Sequence, residues 1–261
     1  MEKALLDIVF RSEKRKNILL LLHDGAKEME DIFKALGTSR QALLPQMKIL
    51  EESHLVAHYD DTYELTPVGE LIVDEVVPFV DTADALDIDI EYWGTRNLDF
   101  IPSHLFKRIS ELRKCKVVNP SLVEAHEIDR RFYEATKRSR AHSAVTALLH
   151  PNFTEMAHEL IDCGVRLDFV ISRKLYDKLI RDNYSSLAGL LQNELVHIFV
   201  FPGKMDFKYV SYNDHCIMLA LIRNDGSIDN SYLLCSSADA LQWGKEFFEY
   251  YVNRSVPLTE I

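Results

Sequence analysis

Residues 27–66 read KEMEDIFKALGTSRQALLPQMKILEESHLVAHYDDTYELT. Two helical patterns flank the turn Leu36-Gly37-Thr38-Ser39. Gly37 can take the positive φ that ends a first helix, and Thr38 or Ser39 can cap a second. In the second, Leu43, Met47 and Leu50 recur at helical spacing and point to a core, with Leu44 beside them. That leaves Arg40, Gln41, Gln46 and Lys48 for the outer face. Side chains of these types reach base edges and phosphates in a major groove. Two short alternating runs follow, Leu55 to Tyr59 and Tyr63 to Thr66, around the polar turn Asp60-Asp61-Thr62, and they read as a hairpin. Helix, turn, helix and hairpin make an α+β winged helix-turn-helix, whose usual partner is double-stranded DNA.

Working outward, Glu2 to Phe10 reads as a short amphipathic helix, and Ser12 can cap another over Glu13 to His23 with Ile18, Leu19, Leu21 and Leu22 inward. A helix from Met29 to Leu36 turns Ile32, Phe33 and Leu36 inward. Pro45 conflicts with one continuous helix from Ser39: it removes the bond to the Gln41 carbonyl and costs about 3 kcal/mol. Either the helix kinks, or its first turn is loose and the regular part starts near Leu44. Thr66-Pro67 opens a further helix that ends near Pro78, and Phe79 to Ile90 continues as a dimer arm and linker.

From Tyr92 the character changes. Strand-like runs at Cys115–Val118, Ser143–Leu149, Arg166–Ser172, Leu195–Phe201, Phe207–Tyr212, Cys216–Leu221 and Tyr232–Leu234 alternate with helical ones. The helices are expected at Ser103–Leu112, Leu122–Lys137, Asn152–Cys163, Lys174–Asp182, Ser185–Asn193 and Ala238–Asn253. Alternation followed by adjacent strands predicts an α/β domain with a mixed sheet. Asp225-Gly226 supplies a turn between apolar runs. The expected division is a winged helix over 1–77, a helical linker over 78–91 and an effector domain over 92–261.

A net charge of −11 cuts against DNA binding, and up to Val77 there are nine Lys plus Arg against fifteen Asp plus Glu. The distribution softens this, because Thr38 to Leu50 holds Arg40 and Lys48 and no acid. Phosphate contact needs a local patch, not a basic total. No apolar run approaches the roughly 18 residues of a membrane span. The N-terminus MEKALLDIVFRSEKRK has no signal-peptide pattern, so a cytoplasmic, unprocessed chain with no membrane partner is expected. Cys115, Cys163, Cys216 and Cys235 are far apart, which argues against disulfides and a zinc ribbon and for buried thiols.

No GxGxxG, P-loop, GxSxG or HExxH is present. His104, His126, His142, His150, His158, His197 and His215 are scattered, and no metal site, cofactor or catalytic set is expected. Trp243, Phe247-Phe248 and Tyr250-Tyr251 read as core. Trp93, Phe100, Phe106, Phe132 and Tyr133 are candidates to line an effector pocket.

The segments SRQALLPQMKILEESHLV, YELTPVGELI, EYWGTRNLDFIPSHLFKRISEL and ADALQWGKEFFEYYVNRS resemble the archaeal winged-helix regulators called the methanogenesis regulatory protein family. These join a head similar to ArsR-type repressors to a C-terminal domain. The resemblance spans essentially the whole chain and implies a methanogen transcription factor. The C-terminal half also looks, more weakly, like half of a phospholipase D fold. Of that superfamily's HxKxxxxD motif only Lys208 is kept, since Asp206 and Asn213 stand at the other two positions. Such a fold would be non-catalytic.

The expectation is therefore a homodimeric DNA-binding regulator with a small-molecule or protein effector on its C-terminal domain. Ser39, Arg40, Gln41, Gln46 and Lys48 would meet bases or phosphates. Lys14, Arg15, Lys16 and the wing residues His58 and Thr62 would touch the backbone. Asp60 and Asp61 make that wing a poor phosphate binder. The rival is a phosphodiester- or nucleotide-acting enzyme with the winged helix as an interaction module.

Overall fold

In a computed structural model that describes residues 4–121 and 129–259, the chain divides into two units, 1–81 and 82–261. The first residues of the expected N-terminal helix lie outside the described residues. So does the 122–128 part of the expected helix Leu122–Lys137, and His126 with it.

The first unit contains α1 (Leu5–Phe10), α2 (Glu13–His23), β1 (Lys27–Glu28), α3 (Met29–Ala35), α4 (Arg40–Glu52), β2 (Val56–Tyr59), β3 (Thr62–Leu65) and the start of α5 (Pro67–Asp87). Gly37, at φ +59°, closes α3. Thr38 N–H donates to the Phe33 carbonyl and Gly37 N–H to that of Lys34, the paired bonds of a Schellman ending. Ser39 Oγ then accepts from the Ala42 amide and caps α4. Leu43, Met47 and Leu50 are buried against Ile18, Leu19 and Ile32. The three strands pair in the order β1-β3-β2, all antiparallel. The wing tip turns at Asp60, φ +55°.

Three expectations need correcting. Leu44 is 44% exposed rather than in the core, because it lies on the outer side of the turn that buries Leu43 and Met47. α4 is regular from Arg40 through Pro45, with no loose first turn. Pro45 and Gln41 are both exposed, so the carbonyl left without an amide meets water. α5 does not end near Pro78 but runs unbroken through it to Asp87. Pro78 too lies on an exposed face, where the loss of one helix bond to Asp74 is offset by solvent. The stretch expected as a helical linker is helical as part of α5 as far as Asp87; Ala85 is buried, and Leu86 and Ile88 pack in the second unit's core. Thr66 caps α5, accepting from Gly69 N–H. A Cβ on Gly69 would stand 2.0 Å from the Leu55 carbonyl oxygen, so only glycine lets α5 approach the hairpin this closely.

The second unit holds α6 (Ile90–Gly94), α7 (Ser103–Phe106), a 3-10 turn at Ile109–Leu112, β4 (Lys116–Val118), α8 (Arg130–Lys137), β5 (Ala141–Thr146), α9 (Phe153–Asp162), β6 (Arg166–Ser172), α10 (Arg173–Asp182) and α11 (Tyr184–Leu191). Then come β7 (Val196–Phe201), β8 (Phe207–Asn213), β9 (Ile217–Leu221), β10 (Tyr232–Cys235), α12 (Ala238–Val252) and β11 (Val256–Pro257). The strands form one mixed sheet, ordered β11-β7-β6-β5-β8-β9-β10-β4. β5, β6 and β7 run parallel, and the other pairings are antiparallel. Trp243, Phe247 and Tyr251 of α12 pack on one face with Val145, Val170 and Val210. α9 covers the opposite face over β5 and β6, and α8 covers it over β9 and β10. No described helix is long and apolar enough to cross a membrane.

Candidate functional site

α4 presents Ser39, Arg40, Gln41, Leu44, Pro45 and Lys48 outward. They follow from the packing of its other side: burying Leu43, Met47 and Leu50 fixes which residues are left at the surface. Arg40 reaches only as far as Asp61 of the wing, 4.0 Å away, and Lys48 lies 3.8 Å from Glu52. Both pairs are exposed and therefore weak. Lys14 is exposed, while Lys16 pairs with Glu13 at 3.1 Å. On the wing, His58 stacks on Tyr63 with ring centroids 4.0 Å apart and planes 5° apart, and Thr62 is half-buried at the start of β3.

Two expected DNA-facing residues turn polar groups inward: Arg15 wholly, and Gln46, which is half-buried, through its Oε1. Arg15 is buried. Its Nε and Nη2 donate to the Ile8 and Asp7 carbonyls at 2.5 and 3.1 Å, which satisfies the end of α1. Its Nη1 donates to Gln46 Oε1 at 2.9 Å, and Ser12 Oγ reaches the same oxygen at 3.3 Å. Arg15 and Gln46 thus join α1, α2 and α4 from within. Neither is placed as the sequence reading expected. They meet across 31 residues of chain, and nothing in the local spacing signals it.

In the second unit the degraded phospholipase-type positions do not converge. Asp206 pairs with Lys204. Asn213 is buried at the far end of β8, donating to Thr136 Oγ1 and accepting from the His215 and Cys216 amides. Among the described residues no three His, Cys, Asp or Glu side chains gather as a metal site. His197 Nδ1 lies 2.9 Å from Asp168 across β6 and β7. Three cysteines are buried, but Cys163 is exposed at the end of α9.

The candidate pocket aromatics separate. Trp93 and Phe100 belong to the α12 core, and Phe106 is exposed. Phe132 and Tyr133 do line a cavity of about 240 Å³ between α8, α9 and the sheet. Phe153, Phe169, Leu160 and Met218 complete its apolar wall. His142, Ala144 and Thr146 reach it from β5 by strand alternation, and Tyr209 and Ser211 from β8. Lys208 also lines it, although it neighbours Tyr209 in sequence. A register shift between Phe207 and Tyr209, opposite β9, inserts Lys208 as an extra residue. Such a bulge re-aims the side chain it adds. The sequence reading did not assemble this cavity; its one signal is a histidine within a strand of otherwise small, uncharged residues, HSAVT.

Against known families, the N-terminal domain of methanogenesis regulatory protein FilR1 matches residues 3–84, and the middle domain of FilR1 matches residues 125–254. The chain belongs to the FilR1 family. The N-terminal FilR1 match ends close to the boundary between the two units. Methanogenesis regulatory protein FilR1 of Methanothrix harundinacea (strain 6Ac) is 25% identical over 255 residues, which is 95% of this chain and 57% of that protein. The chain thus spans little more than half of that FilR1 relative. Among solved structures, TrmBL2, described as an archaeal chromatin protein with a novel mode of DNA binding, aligns over 96% of both chains at 12% identity, TM-score 0.41. The riboflavin-derivative dimethyltransferase RosA of Streptomyces davawensis aligns over 75% of this chain and 62% of its own at 15% identity, TM-score 0.24. Scores this low carry no argument about fold or chemistry.

Proposed function

We propose that this FilR1-family chain is a homodimeric, ArsR-like transcriptional regulator of a methanogenic archaeon. It works in the cytoplasm, binds double-stranded DNA through α4 and controls genes of methanogenesis. The observation that carries this reading is the outer face of α4. Ser39, Arg40, Gln41 and Lys48 are exposed on a capped, rigidly buried helix, and no carboxylate interrupts residues 38–50. A helix in a major groove needs this set: cations for phosphate, and an amide and a guanidinium for base edges. Membership of a family named for regulation supports it. Lys14 and Lys16 would meet phosphates, and His58 and Thr62 of the wing would approach the backbone.

The dimer rests on an apolar patch within the first unit. Leu5, Leu6 and Phe10 of α1 line one groove with Ile72, Val76 and Phe79 of α5, and Leu6 and Phe79 are 71% and 61% exposed. Phe10 and Phe79 already touch edge to face at 5.6 Å. Two copies related by a dyad would cover the patch and set two α4 helices on half-sites about one helical turn apart. Residues 82–261 would carry the signal, and α5 crosses from one unit to the other without a break. The regulator is preferred to a phosphodiester-acting enzyme because Asp206, Lys208 and Asn213 do not form a reacting group.

Genome-wide footprinting of the tagged protein, with and without growth substrates, tests the function. Discrete, substrate-dependent footprints upstream of genes are expected. Uniform or absent occupancy overturns the regulator. Light scattering tests the assembly: the wild type should run as a dimer and Phe79→Glu as a monomer with weakened DNA binding.

A further inference from the structure

We propose that the cavity between α8, α9 and the sheet binds a small organic acid: an apolar, aromatic-sized body with one carboxylate directed to Lys208. The proposal deepens, and rests on, the reading of residues 82–261 as the signal-sensing unit.

The size and lining set the body. About 240 Å³ exceeds the roughly 150 Å³ of an apolar cavity that takes up benzene. There is room for one ring with a short side chain. Phe132, Phe153, Phe169, Leu160 and Met218 surround it, and aromatic walls favour a flat apolar guest.

The polar groups set the head. Most of those in the wall are already engaged with protein. Asp129 caps α8 and accepts from Tyr232 OH at 2.6 Å. Thr136 bonds Phe132 and Asn213, Tyr209 OH reaches Met218 Sδ, and Thr146 Oγ1 bonds the Leu148 carbonyl. Lys208 is different. Its ammonium donates to a backbone carbonyl, that of Asp229, at 2.9 Å, and among the described residues no carboxylate stands within ion-pair distance. The Asp229 carboxylate is taken by two guanidinium groups, Arg96 at 2.7 Å and Arg223 at 2.9 Å. A half-buried cation in an apolar wall is costly unless an anion joins it. Burial accordingly pushes the Lys208 pKa below its ordinary value, with Asp229 opposing the shift. A carboxylate on the guest supplies the missing charge.

His142 lines the wall without adding charge to it. Its Nε2 faces Ser211 Oγ at 3.3 Å, and its Nδ1 is buried with no hydrogen-bond partner among the described residues. The ring is packed by Phe132 and Phe169. Burial holds its pKa down at about 4, so the imidazole is neutral in the cell. A neutral imidazole offers one N–H and one lone pair, whichever tautomer Ser211 selects.

The experiment titrates the full-length protein with four acids: benzoate, phenylacetate, 4-hydroxyphenylacetate and octanoate. Each is paired with its primary amide, and binding is followed by calorimetry and ligand-detected NMR. At least one acid is expected to bind about tenfold tighter than its amide, the size of one modest charge interaction. Lys208→Met should erase that preference and Lys208→Arg should keep it, which separates loss of charge from misfolding. Saturable binding by none of the acids, equal binding of acid and amide, or a preference untouched by Lys208→Met overturns the site. DNA affinity measured in the same samples keeps the two readings apart. Binding with unchanged DNA affinity removes the sensing role and leaves the site. No binding removes the site and leaves DNA recognition by α4 untouched.

Discussion

The two units place their distinctive polar side chains on opposite sides of their surfaces. In the first, Arg40, Gln41 and Lys48 point outward, and the buried Arg15 guanidinium is matched by the Ile8 and Asp7 carbonyls and by Oε1 of the half-buried Gln46. In the second, among the described residues, buried polar atoms without a partner lie inside, at His142 Nδ1 and at Arg96 Nε and Nη1, and Lys208, a half-buried cation with no ion-paired carboxylate, lines the same cavity as His142. A surface that reads DNA keeps its charges solvated until phosphates replace the water. A cavity that takes up a small molecule keeps a polar group desolvated in advance, because the guest is what satisfies it. Substitutions in the two places should therefore be felt differently: in binding for the first, in stability and its pH dependence for the second.

The largest expected effect belongs to the interior. An exposed histidine titrates near about 6.5, whereas burial lowers His142 to about 4. As pH falls, the unfolded chain takes up its proton first. The stabilisation linked to neutral His142 is therefore complete above pH about 6.5 and declines below it. It is lost once pH passes through about 4, and is worth at most about 3 kcal/mol. Urea titrations across that range should show a steep acid limb for the wild type and a flatter one for His142→Phe. Parallel limbs in the two proteins would mean that His142 is solvated, and the contrast between the units would fail.

Next comes a pair on one helix. Arg40→Ala should weaken specific DNA binding by about 1–3 kcal/mol and leave urea stability unchanged within about 0.5 kcal/mol. Gln46→Ala removes the acceptor of a buried guanidinium and should cost about 1–3 kcal/mol of stability. Its DNA affinity, measured where the variant is still folded, should stay near wild type. If Gln46→Ala lowers affinity as Arg40→Ala does while remaining fully stable, the amide reads a base after all and the inward assignment is wrong.

What the sequence made legible follows the range of the interactions involved. The ending at Gly37, the cap at Ser39 and the buried stripe Leu43-Met47-Leu50 are set by neighbours within a few residues, and all three were readable. So were the strands of the parallel core: β6, buried on both faces, matches its expected bounds from Arg166 to Ser172. The course of α5 through Pro78 was not, because a proline is tolerated where the opened carbonyl meets solvent, and exposure is a tertiary property. Arg15 and Gln46 misled for a related reason, since an Arg in a basic run and a Gln on a recognition helix look the same whether they face DNA or each other. The cavity needs β5, β8, β9, α8 and α9 together, plus a one-residue bulge that places Lys208 beside Tyr209. No local pattern encodes that bulge.

The smallest effect tests the acidic wing. Asp61 stands 4.0 Å from Arg40, both are more than half exposed, and such a pair contributes under about 1 kcal/mol. Its loss should hardly alter folding. On DNA bound as proposed, the same carboxylate would face phosphates and hold Arg40 back from them, so Asp61→Asn should tighten binding a few-fold, within about 1 kcal/mol. Each additional phosphate neutralised by a cation steepens the dependence of log affinity on log salt by about 0.9. Asp61→Asn should steepen the slope by about that amount if it frees Arg40 to reach a phosphate. If it only relieves repulsion, affinity rises at low salt and the slope is unchanged. In the double variant Asp61→Asn, Arg40→Ala the steepening should vanish, because neutralising that phosphate needs the guanidinium. Weaker binding by Asp61→Asn would mean that the pair orients Arg40 for a base edge, and the wing would then be a positioning element of the DNA-reading surface.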